Sequence, residues 1–180
     1  SMYMGTIIRH SKIVSDSWQL LKPAADGSAP PVPGSGDIIV PLAVWLAQRD
    51  KLLLHPGRLG VWLGGDDEPA LIAEDLKYFG VVAVNFTQFA DGRGYSLGRL
   101  LRERYGWRGE LRAIGDVLRD QLFYLAGCGF DAFALREDQD LHAALSAFGD
   151  FSEAYQSSAE RPLPLFRRRF LASPDGMEWS

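Results

Sequence analysis

Apolar and polar positions divide the chain into two unlike stretches joined by a proline-rich one. Near the start, Thr6-Ile7-Ile8 and Lys12-Ile13-Val14 flank the polar pair His10-Ser11. Two β-favouring runs about such a pair predict a hairpin. Trp18, Leu20 and Leu21 follow. From Lys22 to Gly36 the composition turns to Pro, Gly, Ala and Ser, including Pro30, Pro31 and Pro33. That stretch reads as a loop or linker and is the one candidate boundary. Beyond it, Ile38-Ile39-Val40 is a short apolar run. Pro41 suits the first turn of a helix, because its missing N–H would be unpaired there anyway. Leu42, Trp45, Leu46, Leu52 and Leu53 then carry helical spacing.

An alternation begins at Leu59. Strands are predicted at Leu59 to Leu63, Val81 to Phe86, Leu111 to Ile114 and Phe130 to Leu135. Helices are predicted at Pro69 to Tyr78, Ser96 to Tyr105, Val117 to Ala126 and Asp138 to Phe148, with Gly106, Gly127 and Gly129 as stops. The strands read apolar on both faces, which argues for a parallel sheet covered by helices. The class is therefore α/β, a mostly parallel sheet built from consecutive βα units. Four such strands form a half-barrel-like or an open sheet, with the N-terminal β-hairpin attached; the open form is the expectation. One folding unit is expected, made of residues 1–36 (hairpin and linker), 37–156 (βα units) and 157–180 (a Pro- and Arg-rich tail).

Composition narrows the function classes. The 180 residues are 47% apolar and 23% charged, ordinary for a globular chain. The net charge of -4 lacks the basic footprint that nucleic acid or an anionic membrane would select. The single cysteine, Cys128, excludes an internal disulfide and a cysteine-ligated cluster within one chain. No apolar run reaches the length of a membrane span. No signal core follows a basic start, so a cytoplasmic protein is expected. An unpaired sheet edge leaves room for a homodimer.

Ligands of parallel α/β sheets gather at the carboxyl ends of the strands. That rule nominates Asn85, then Asp91, Gly92, Arg93, Gly94, Tyr95 and Ser96, then Asp116 and Arg119, then Arg136. The loop after Phe86 is the longest of these connections and feeds a helix. Its glycines expose backbone N–H groups, the helix start carries partial positive charge, and Arg93 adds a full one. An anionic small molecule is one reading. The other is a solvent-exposed turn with Arg93 paired to Asp91 or Asp116. Gly92-x-Gly94-x-x-x-Gly98 with Asp116 downstream also fits a loose nicotinamide or flavin pattern. Against it, the glycines begin six residues after Phe86 and not directly at the strand end. Asp66, Asp91, Asp116 and Asp138 each suit a helix cap better than a shared cation. His10, His55 and His142 are scattered, with no metal spacing. No cofactor is assigned.

Asp37 to Trp45, Asp91 to Arg102 and Gly115 to Gln121 resemble a proteobacterial family, domain of unknown function 934, over about Ile7 to Arg169. Its members are often labelled probable oxidoreductases involved in sulfite reduction. The resemblance implies an accessory protein or small enzyme of assimilatory sulfate or sulfite reduction, binding an anionic ligand at the carboxyl edge. The alternatives are a noncatalytic partner of the sulfite reductase haemoprotein and a nicotinamide- or flavin-dependent oxidoreductase. The family carries over no catalytic residues. Without several cysteines the chain is not itself the haem- and cluster-bearing subunit.

Overall fold

The computed structural model describes residues 5–87 and 92–146. Eight strands form one sheet in the order β2-β1-β8-β7-β6-β5-β4-β3. The hairpin is β1 (Gly5–Arg9) and β2 (Lys12–Asp16), turning through His10 and Ser11, both at positive φ. β3 (Gln19–Leu20), β4 (Ile38–Pro41), β5 (Leu59–Leu63), β6 (Phe79–Phe86), β7 (Glu110–Gly115) and β8 (Ala132–Phe133) are parallel and in sequence order. β1 joins β8 antiparallel, with Ile8 opposite Phe133. The run Ile38-Ile39-Val40 and the short Gln19–Leu20 thus add two parallel strands to the four expected. Strands from both sides of the Pro-rich stretch lie in this one sheet, and within that stretch Val32 packs on the main core.

The sheet is not flat. β2 and β3 are its two outermost strands, yet only two residues separate Asp16 from Gln19. Three virtual bonds span about 11 Å at most, whereas the edges of a flat eight-stranded sheet would lie about 34 Å apart. The sheet therefore curls into a half-barrel, and the N-terminal strands bring its edges together. An open sheet with a hairpin appended does not describe it.

Each face has its own core. The outer one holds Ile38, Val40, Val61, Leu63, Val82, Val84, Leu111 and Phe133, covered by the helices. The inner one is smaller: Trp18 plugs the curl against Ile39, Val81, Ala83 and Ile114. Also on this inner face, Arg112 is 3% exposed and pairs with Glu110 at 2.7 Å and Asp16 at 3.1 Å. Arg9 reaches Glu110 at 3.4 Å. These pairs tie the hairpin to β7.

Two helical expectations and one strand change in form. Pro69–Tyr78 is a 3-10 helix. Its buried residues include Pro69, Ile72 and Asp75, every third position, which three residues per turn stack on one face. Asp75 points inward because it accepts a hydrogen bond from Trp45 Nε1 at 2.9 Å and pairs with Arg49, also at 2.9 Å. Burial raises its carboxyl, and the bonds from Arg49 and Trp45 outweigh that and hold it below the usual carboxylate range. The Val117 to Ala126 segment becomes a 3-10 turn, Arg119–Gln121, followed by α3 (Leu122–Gly127). The strand at Phe130 to Leu135 shrinks to Ala132–Phe133. Asp131 instead turns its side chain to accept from Leu111 N at 2.8 Å. α1 (Leu42–Leu52) forms where helical spacing was read, and α2 (Arg93–Glu103) starts three residues before the predicted Ser96. Residues 141–146 are helical, while 138–140 lead into them through a turn; 147–148 and the tail lie outside the described residues. No described helix is long and apolar enough to cross a membrane.

Candidate functional site

α2 starts at Gly92, whose φ of +96° is a left-handed conformation that glycine adopts freely. The helix is pressed onto the sheet through Gly94 and Gly98. A Cβ at Gly94 would lie 2.5 Å from the Phe86 ring, and one at Gly98 would lie 2.4 Å from the Phe130 ring. Two of the three glycines in the loose nucleotide pattern therefore serve helix–sheet contact and face no ligand space.

This close approach aims Tyr95 over the carboxyl end of β6. Its ring lies 5.2 Å from Phe86 and 4.9 Å from Tyr124. Gln121 Nε2 donates to the Tyr95 hydroxyl at 2.6 Å, while Gln121 Oε1 accepts from Leu118 N at 2.7 Å. The backbone N–H can meet only the amide oxygen, so the orientation of Gln121 is fixed. Tyr95 is then the acceptor toward Gln121, and its own proton is free to donate elsewhere.

Asp116 follows the turn at Gly115, where φ is +92° and a Cβ would lie 2.3 Å from Phe86 O. Its N–H donates to that carbonyl at 2.8 Å, carrying the β6–β7 ladder one step further. Arg136 follows β8 and is anchored by its N–H to Val117 O at 2.9 Å. Its Nε and Nη2 hold Asp138 in a fork, both at 2.7 Å. The bond from Arg136 pulls the Asp138 carboxyl down to about 2. The bond to Asp138 raises Arg136 in turn, and the charge of Asp116 adds to it.

Between these groups lies a hollow of about 120 Å³, lined by Phe86, Thr87, Tyr95, Asp116, Leu118, Gln121 and Arg136. Of the residues nominated from sequence, Tyr95, Asp116 and Arg136 meet there. Arg93 does not line it. It is ion-paired with Asp66, and the two side chains are 60% and 81% exposed. Among the described residues its acidic partner is Asp66 and not Asp116. Asn85 packs its Oδ1 beneath Gly115. Ser96 is exposed, and Arg119 uses its N–H on Gln139 Oε1 at 2.8 Å. Asp91 lies outside the described residues. Gln121 and Leu118 were missed. The signal available was Gln at the third position of a helical turn, where its side chain reaches back to the backbone of the cap residue.

Other polar and titratable groups have local roles. Asp67 accepts from Gly64 N at 2.8 Å within the turn after β5. His55 Nε2 meets Gly36 O at 2.6 Å. Cys128 is fully buried, and burial raises its thiol against the opposing pull of Arg99. Among the described residues no group of three or more His, Cys, Asp or Glu could hold a metal ion.

Residues 60–166, which include every residue lining the hollow, match the family model described as "Bacterial protein of unknown function (DUF934)". No curated protein matches the chain, and no solved structure matches it.

Proposed function

The chain belongs to the family described as "Bacterial protein of unknown function (DUF934)", and from that premise we propose that it binds a small ligand by an anionic group in the carboxyl-edge hollow. One observation carries this reading: Arg136 Nη1 and the Tyr95 proton are donors without an acceptor among the described residues, and both residues line one hollow. Charge-assisted bonds of that kind contribute more than neutral ones. The site sits where parallel sheets place their ligands.

Size decides between ligands. About 120 Å³ is well below the roughly 300–1,000 Å³ of typical drug-sized ligand sites. The hollow is smaller than a whole dinucleotide or flavin and nearer the size of a small oxyanion or carboxylate, which favours the small ligand. Together with the sulfite-reduction label that the family resemblance brings, this favours an accessory protein or small enzyme of cytoplasmic sulfate or sulfite assimilation. It disfavours a nicotinamide- or flavin-dependent oxidoreductase.

Thermal-shift and calorimetric titration with sulfite, sulfate, acetate, NADPH and FMN tests the reading. A true ligand raises Tm by mass action, and Arg136→Ala should abolish the response to the small anions. A response to NADPH or FMN that survives Arg136→Ala, or silence across the panel, overturns it.

A further inference from the structure

Arg136 is not the only charge in the hollow. Asp116 borders it too, and its carboxylate accepts no hydrogen bond and makes no ion pair among the described residues. Arg136 gives two nitrogens to Asp138 and does not pair with Asp116. Two opposite charges thus border one small space, feeling each other's field without forming an ion pair. A plain anion would gain from Arg136 and be repelled by Asp116, and a plain cation would meet the reverse. A ligand carrying both signs satisfies both.

We propose that the hollow takes a small zwitterion, an α-amino acid of glycine to serine size. Its carboxylate would accept from Arg136 Nη1 and the Tyr95 hydroxyl, and its ammonium would donate to Asp116. This rests on the anionic-group reading above, since the carboxylate fills that position. Phe86 and Leu118 line the same space with carbon, which suits a short side chain and excludes a long polar one. Gln121 acts as a positioning residue, because its fixed amide occupies one lone pair of the Tyr95 hydroxyl and leaves the proton for the ligand.

Calorimetry on the full chain at neutral pH tests the idea with glycine, L-serine, acetate, methylamine and sulfite. Glycine and serine should bind at least about tenfold tighter than acetate or methylamine, the size of one lost charge-assisted bond. Asp116→Asn should cut glycine affinity by about tenfold or more and raise acetate affinity, with Tm held, since that carboxylate supports no contact in the fold. If acetate or sulfite binds as tightly as glycine, the zwitterion is wrong and the anionic-group reading stands. If none of the five binds, both fall. The wild-type ranking alone decides the matter should Asp116→Asn not fold.

Discussion

Arg102 and Arg136 stand at opposite ends of β7 and β8 and are used in opposite ways. Arg102, on α2 near the amino ends, is 2% exposed. It donates to the carbonyls of Gly129, Trp107 and Gly109 at 2.7–2.9 Å and pairs with Asp131 at 3.4 Å. Arg136, at the carboxyl ends, is partly exposed. It holds one carboxylate with two of its nitrogens and lines a hollow. A guanidinium held by three backbone carbonyls and a carboxylate in the dry interior can only hold the fold, because any rearrangement would strand buried polar groups. One with unused donors beside a cavity can exchange water for a ligand. The difference follows the rule for parallel barrels, in which the amino face carries stability and the carboxyl face carries chemistry.

The sharpest way to break this contrast is to remove each arginine. Arg102→Met should cost about 3–5 kcal/mol of stability in urea denaturation, because Asp131 and three carbonyls lose their buried partner. A loss below about 1 kcal/mol would place Arg102 outside the stability frame. Arg136→Ala should leave stability within about 0.5 kcal/mol and weaken anion binding by roughly ten- to 150-fold, the worth of a bond to a charged group. Gly94→Ala separates packing from propensity. Alanine favours a helix by about 1 kcal/mol, and overpacking the buried Phe86 costs about 1–3 kcal/mol. A net destabilisation of up to about 2 kcal/mol is therefore expected by urea titration; a stabilised variant would show that the ring moves aside. Tyr95→Phe removes one neutral donor and should weaken the ligand roughly two- to tenfold by calorimetry. The smallest effect concerns pH. The Asp138 carboxyl is depressed from its ordinary 3.8 to about 2. Its contribution is therefore present above 3.8 and lost as pH falls through about 2. An NMR titration of the Asp138 carboxyl should give a midpoint near 2 in the wild type and a return toward the ordinary value in Arg136→Ala. Stability should barely change over that window, because the pair is exposed to water.

Much of the architecture could be read from local pattern. The continuous apolar runs at Val81 to Phe86 and Leu111 to Ile114, together with the helices between strands, lead to a parallel α/β sheet without coordinates. Gln19–Leu20 could not be found that way, since two residues carry no periodicity and become a strand only because β4 offers them a partner. The candidate site was legible by position and not by chemistry. Strand ends pointed to Tyr95, Asp116 and Arg136. The same rule nominated Arg93 with equal force, because nothing in a linear string shows that Asp66, 27 residues earlier, will be its partner.

Residue order alone settled the class, the layering and the edge of the sheet at which polar side chains would collect, since these follow from periodicity and from the direction of parallel strands. Tertiary structure decided the curl, the pairing of each arginine and the two roles of the glycines on α2. Those outcomes depend on contacts between residues far apart in the chain, and local propensity has no information about which distant surface a side chain will meet.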